Sequence, residues 1–285
     1  MWIFYAMASS FFAGITAILA KVGIKQMDSS LATALRTIIV LFFSWLMVLI
    51  TGTYTTLSEI TIETFILLIL SGLATGASWL CYFKALQMGD VNKVTPIDKL
   101  STIFTMILAF IFFGESMTSL KIVCIILIGI GTYLMIEKKK NKNKNIDDKW
   151  IIYAFGSAIF ASLTSILGKM GIQHIDSTLG TAIRTIVVLM MSWGVVLIQK
   201  KDIHIKNIDY RNWLFLILSG ITTGLSWLSY YHALQNGPAS IVVPIDKLSV
   251  VITIVFSCFV LKEKLSYRSL LGLIILVVGT LMLLL

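Results

Sequence analysis

Pro96-Ile97-Asp98-Lys99-Leu100-Ser101 is an unusually polar phrase for so apolar a chain, and Pro244-Ile245-Asp246-Lys247-Leu248-Ser249 repeats it letter for letter 148 residues later. The same offset holds outward from both phrases. Lys21 returns as Lys169, Asp28 as Asp176, Arg36 as Arg184, Trp45 as Trp193, Trp79 as Trp227 and Tyr82 as Tyr230, so residues 1–137 recur as 149–285 without a gap. A period this long marks two copies of one structural unit. In a membrane protein, two copies suggest halves that meet around a shared central site.

The composition places the chain in a membrane. Hydrophobic residues make up 58% of its 285 residues and charged residues 13%, with mean hydropathy +0.93, whereas a soluble domain carries about 25% charge. Apolar stretches long enough to cross a bilayer, about 20 residues each, can be placed ten times. They lie near 2–22, 33–50, 64–87, 92–113 and 119–136, each with its counterpart 148 residues on. The runs are continuously apolar rather than alternating, and hydrocarbon tolerates no unpaired backbone, so helices are predicted and a barrel is not. The expected fold is an all-α integral membrane protein of ten transmembrane helices. Its parts are a first five-helix repeat at 1–137, a Lys/Asn-rich linker at 138–148 and a second five-helix repeat at 149–285.

Met1 is followed directly by Trp2, with no basic region of a secretory signal, so the first span is expected to be retained as a structural helix. Cys81, Cys124 and Cys258 fall inside predicted spans without metal or redox spacing. The net charge of +9 would suit a nucleic-acid binder, but six lysines are concentrated between Lys138 and Lys149, which reads as a solvated linker. His174, His204 and His232 are scattered, and no nucleophile-base-orienter set or GxxxxGK[ST] loop is present. The expectation is therefore no enzyme, no cofactor, no metal, no nucleic acid and no direct use of ATP.

Five spans per copy is an odd number, so the second copy should enter the membrane opposite to the first. The loop charges test this. Loop 51–63 has no Lys or Arg, whereas its copy carries Lys200, Lys201, Lys206 and Arg211; Lys121 stands alone in the turn whose copy holds Lys262, Lys264 and Arg268. The other loops diverge in the reverse sense, Lys25 becoming Gln173 and Lys93 becoming Ile241. Each change enriches the side that holds the linker, which the positive-inside rule places in the cytoplasm. Both termini are then expected outside.

Several phrases carry a family pattern. Ala20-Lys21-Val22-Gly23-Ile24 closes the first span, Lys84-Ala85-Leu86-Gln87 ends the third, Phe113-Gly114-Glu115 ends the fourth, and Gly129-Ile130-Gly131-Thr132 lies in the fifth. Over nearly the whole chain, twice, these resemble the EamA family of the drug/metabolite transporter superfamily. The resemblance implies ten helices in two inverted five-helix repeats around a cavity lined largely by the first four helices of each half. The Pro-Ile-Asp-Lys-Leu-Ser phrase looks more like the short single-repeat members, so the chain resembles such a pair fused. Better-known ten-helix members keep both termini in the cytoplasm, opposite to what these loops indicate.

Ionisable groups inside spans are costly and are functional candidates by default. Lys21, Arg36, Asp98 and Lys99 qualify, with their copies Lys169, Arg184, Asp246 and Lys247. Two readings stand for Lys21 and Arg36: a pathway role, or snorkelling to lipid phosphates from span ends. Asp98 could cap a helix begun by Pro96, with Thr95 completing a capping box. Val243 replaces Thr95 while Asp246 and Lys247 remain, which favours a buried ion pair of Asp98 with Lys21 or Arg36. In the third span Ser71, Thr75, Ser78 and Tyr82 share one helical face, repeated as Ser219, Thr223, Ser226 and Tyr230. They would either line a cavity or bond neighbouring helices. Gly72 and Gly76, with Gly220 and Gly224, form small-xxx-small pairs for close helix approach. Trp79 and Trp227 would provide an aromatic wall or anchor at the interface. Ser9, Ala13, Thr16 and Ala20, echoed by Ser157, Ala161, Thr164 and Gly168, keep one face of the first span small and weakly polar. Glu115 and Glu263 read as caps or interface pairs.

The function these readings support is secondary transport of a small organic metabolite by rocking of two halves about a midplane site. Counting Lys21, Arg36 and Lys99 against Asp98 leaves +2 per half, which favours an anionic or zwitterionic, amino-acid-like cargo. The alternatives are efflux of hydrophobic cations, weakened by the absence of any acid in 2–22, and translocation of lipid or a lipid carrier. Expected partners are the small-molecule substrate and membrane lipids, with the chain a monomer or homodimer.

Overall fold

The computed structural model describes residues 1–23, 29–88, 94, 97–135, 149–199, 209–259 and 266–285. Among them the first copy forms α1 (Trp2–Gly23), α2 (Ser29–Thr51), α3 (Ile62–Met88), α4 (Ser101–Phe113) and α5 (Ser119–Leu134). The second forms α6 (Lys149–Gly171), α7 (Ser177–Ile198), α8 (Tyr210–Asn236), α9 (Ala239–Lys247), α10 (Ser249–Phe259) and α11 (Tyr267–Leu281). Eight segments of the described residues are long and apolar enough to cross a membrane. Two fall short: α5 is a 16-residue helix, about 24 Å at 1.5 Å per residue against a hydrocarbon core of about 30 Å, and α4 has 13 residues. Helical residues 97–99 lead into α4 across a turn at Leu100. Thr95 and Pro96 lie outside the described residues, as do Glu263 and the linker.

Helix starts follow local chemistry. The Asp176 carboxylate accepts the Thr178 N–H at 2.7 Å at the start of α7, and the hydroxyls of Thr118 and Ser266 accept from Lys121 N and Ser269 N at α5 and α11. Each satisfies one of the backbone donors a helix start leaves open. Gly114 ends α4 in the left-handed region at φ 62°, where a Cβ would be strained.

Pro244, the copy of Pro96, bears on the capping reading. It lies inside α9 rather than in a first turn, and the helix begins instead after Pro238. Proline lacks the N–H and crowds the carbonyl four residues back, so α9 stops at Lys247, Leu248 turns by bonding Ile245 O at 3.0 Å, and α10 resumes at Ser249. Leu100 makes the same turn onto Ile97 O at 3.0 Å. Asp246 therefore lies at the C-terminal end of a broken helix, where it cannot cap an N-terminus.

The copies pack reciprocally. Helix α1 lies on α8 as α3 lies on α6, α2 contacts α8 as α3 contacts α7, and the pairs α2–α7 and α5–α11 join a helix to its own copy. Contacts that return on themselves in this way define a pseudo-two-fold relation. Glycines set the close approaches: a Cβ on Gly72 would meet the Val187 side chain at 2.7 Å and one on Gly220 the Ile39 side chain at 2.7 Å, while at Gly131 it would meet the Leu276 backbone nitrogen at 2.6 Å. The expectation of packing roles for Gly72, Gly76, Gly220 and Gly224 is met. The outer surface carries exposed Phe4, Phe42, Ile62, Ile111, Ile152 and Met190, as a lipid-facing wall requires.

Candidate functional site

Because small and hydroxylic residues hold α1 against α8 and α3 against α6, polar groups from both copies are drawn to the centre. The resulting bonds come in matched pairs. Ser226 Oγ donates to Ser9 O at 3.1 Å and Ser78 Oγ to Ser157 O at 3.1 Å. Ser9 Oγ donates to Asp246 Oδ1 at 2.6 Å, and Ser157 Oγ to Asp98 Oδ1 at 2.6 Å. Thr223 Oγ1 donates to Thr16 Oγ1 at 3.5 Å, and Thr75 pairs with Thr164 at 3.3 Å. Each carboxylate is thus held by a serine of the other half.

The expected pairing of Asp98 with Arg36 is not formed, since Arg36 lacks hydrogen-bond and ion-pair partners among the described residues. The side chain of Lys21 lies outside the described residues. The reason for Arg36 is topological: it sits in the same copy as Asp98, and the fold brings α6 of the other copy against the carboxylate instead. Asp246 lies 3.8 Å from Lys247 Nζ. Asp246, Lys247 and Ser9 of the other half form one polar cluster.

Beside this cluster is a cavity of ≈ 360 Å³. It is bordered by Thr16, Arg36, Thr75, Ser78, Trp79 and Ala13, by Ala161, Thr164, Arg184, Thr223, Ser226 and Trp227, and by Ser165, Tyr230, Tyr231, Asp246 and Lys247. The hydroxyl-bearing face of α3 and α8 does both things open to it: Thr75, Ser78, Thr223 and Ser226 border the cavity and also bond the facing helix. Ser9, Ser71, Ser157 and Ser219 are buried behind the lining. Asp98 and Lys99 are outside it, as are Tyr82 and Lys169. The charge on the wall is three cations against one carboxylate, a net of +2 for the whole cavity from Arg36, Arg184, Lys247 and Asp246, half of the sequence estimate for the two copies together.

Arg184, 3% exposed, is fixed on every side. Its Nε donates to Ser71 Oγ at 2.9 Å and its Nη2 to Thr75 Oγ1 at 2.6 Å. Its guanidinium lies 5.4 Å from the Trp227 ring and 4.8 Å from the Tyr231 ring, within the range of cation–π attraction. Tyr231 and Ser165 lie outside the set of positions that the copies share. The usable signal was their difference: Phe83 becomes Tyr231, Ala17 becomes Ser165, and Ala20 becomes Gly168. A Cβ on Gly168 would sit 2.5 Å from the Tyr231 ring, so the glycine makes room for the tyrosine.

Lys169 takes part in a different cluster, at the end where α4, α6 and α8 terminate and α9 starts. Glu115 of the first half accepts the Ala239 N–H at 2.6 Å and the Ser240 N–H at 3.0 Å. Lys169 Nζ lies 3.5 Å from the same carboxylate, donates to Gly237 O at 2.6 Å and stacks on Phe113 at 4.9 Å. Lys121 Nζ donates to Ser240 Oγ at 3.0 Å. Glu115 is both helix cap and interface pair, the two readings its sequence position left open.

An apolar-walled bundle of spanning helices around a charged, hydroxyl-lined cavity is the build of a membrane transporter. The EamA-like transporter family model matches residues 1–137 and again 148–285, and the chain belongs to that family. An uncharacterized transporter in the cobO 3′ region of Sinorhizobium sp. is 42% identical over 134 residues, which cover 47% of this chain and 95% of that protein. That relative has the length of a single half. The glucose uptake protein GlcU of Staphylococcus xylosus is 24% identical over 222 residues, 72% of each chain. A solved crystal structure aligns over 99% of this chain and 96% of its own with TM-score 0.80 at 14% identity, which is a likeness of fold.

Proposed function

We propose that the protein is a secondary transporter for a small carboxylated metabolite, anionic or zwitterionic and amino-acid-like. It works by alternating access of two inverted five-helix repeats, ten transmembrane helices in all, with the linker 138–148 cytoplasmic and both termini outside. The observation that carries the reading is the cavity between the copies, with a net charge of +2 on its wall. Its ≈ 360 Å³ falls at the small end of the ligand-pocket range of about 300–1,000 Å³. Broken helices at the centre of such folds position ion and substrate groups, and the break at Leu248 leaves Asp246 and Lys247 on the cavity wall. Helix α5 and the 97–113 region complete the ten spans.

A neutral sugar is the competing cargo, because a 24%-identical relative is named for glucose uptake and Trp79 and Trp227 offer rings for stacking. The excess of guanidinium charge favours the carboxylate. Hydrophobic cations are disfavoured, since Asp246 already has Ser9 and Lys247 as partners. The test is flux into proteoliposomes of radiolabelled amino acids, hydroxy acids, glucose and tetraphenylphosphonium. Carboxylated solutes should move, and Asp98→Asn with Asp246→Asn should abolish their flux while leaving the unfolding temperature in place. Flux of glucose or the phosphonium alone would reject the cargo class, and no flux of any solute would reject the transporter mechanism.

A further inference from the structure

Arg36 and Arg184 are copies of one another whose side chains are in different states. Arg184 is docked on the hydroxyls of Ser71 and Thr75. The corresponding dock for Arg36 is Ser219 with Thr223, and the backbone brings it within the same reach. The Arg184 carbonyl lies 3.3 Å from the Cβ position of Gly72, and the Arg36 carbonyl 3.3 Å from that of Gly220. Nevertheless Ser219 Oγ is buried without a hydrogen-bond partner at 1% exposure. Its copy Ser71 both accepts from Arg184 and donates to Thr164 O at 2.7 Å. Among the described residues Arg36 has no hydrogen bond or ion pair, and it borders the cavity. A buried hydroxyl left unsatisfied and a guanidinium left unengaged are each unfavourable, and in this fold they face corresponding positions.

We infer that Arg36 is the residue that receives the cargo's carboxylate, and that Ser219 and Thr223 form a dock competing with the cargo for the same guanidinium. This rests on the transporter reading above and names the group that selects its substrate. The planar fork of an arginine matches a carboxylate with two parallel bonds. Arg184 has already committed donors to Ser71 and Thr75, so one uncommitted fork is on the wall, which suits one carboxylate rather than a phosphate dianion. A guanidinium shared between dock and cargo makes apparent affinity depend on how much of it is released.

The experiment is a titration of purified protein, followed by tryptophan fluorescence and by thermal shift. Acetate, benzoate and L-leucine are compared with acetamide, benzamide and L-leucinamide. The wild type should respond to carboxylates and at least tenfold less to the amides. Arg36→Gln should lose that preference and Arg36→Lys retain part of it. Ser219→Ala should tighten carboxylate binding by about two- to tenfold, because the competing dock is weakened; a purely structural serine would give no such gain. The inference is overturned if Ser219→Ala weakens binding, if Arg184→Gln rather than Arg36→Gln removes the preference, or if the wild type ignores every carboxylate. Flux of solutes in the proteoliposome assay with no carboxylate preference in the titration would sink this inference alone. Carboxylate binding without flux of any solute would sink the transporter mechanism and leave Arg36 in its role.

Discussion

Arg184 is a charge held in an apolar bundle by hydroxyls and ring faces. Hydrogen bonds to charged groups contribute about 1.5–3 kcal/mol each in water-soluble proteins and average nearer 0.6 kcal/mol between membrane helices. Arg184→Lys keeps the charge but cannot span Ser71 and Thr75 while stacking on Trp227 and Tyr231, because an ammonium has no planar fork. It should lower stability by about 1–3 kcal/mol, read as a reduced unfolding temperature in detergent. An unchanged temperature would show that the guanidinium geometry adds nothing to the fold.

At the scale of elements, the break between α9 and α10 positions the polar centre. Proline supplies it by removing a donor and displacing the Ser240 carbonyl. Pro244→Ala should let one helix run from Ala239 past Leu248, turning the Asp246 carboxylate away from Ser9. Amide exchange measures this directly: protons at residues 245–248 should exchange at least tenfold more slowly in the variant, and equal rates would show that another feature sets the break. The α5–α11 pair illustrates the opposite requirement for regularity, since glycines at 131 and 272 let the two backbones touch.

The whole molecule is joined at one end through Glu115, which belongs to the first half but caps a helix of the second and pairs with Lys169. Glu115→Ala removes both interactions. In a background lacking native cysteines, Ser240→Cys, buried in the parent, should then react with a charged thiol reagent at least tenfold faster. No acceleration would mean that apolar packing alone holds this end. The same labelling chemistry checks orientation: Lys142→Cys in intact cells should be shielded from an impermeant reagent and react after permeabilisation. Labelling from outside would invert the proposed topology.

How much of this was legible beforehand depends on range. The repeat offset, the apolar run lengths, the helical faces of Ser71, Thr75 and Ser78, and the glycine pairs are local properties, and the sequence by itself determined them together with the family and the membrane setting. Lateral neighbours were decided only by the tertiary structure, because lipid and a facing helix are equally apolar and hydrophobicity alone carries no address between them. That is why Asp98 meets Ser157 across the copies instead of Arg36 within its own, and why Lys169 joins Glu115 away from the cavity. The unlike states of Arg36 and Arg184 also belong to the tertiary level. Both arise within nearly the same local sequence, and the hydroxyls that hold Arg184, Ser71 and Thr75 of the other half, reach it only when the halves pack together.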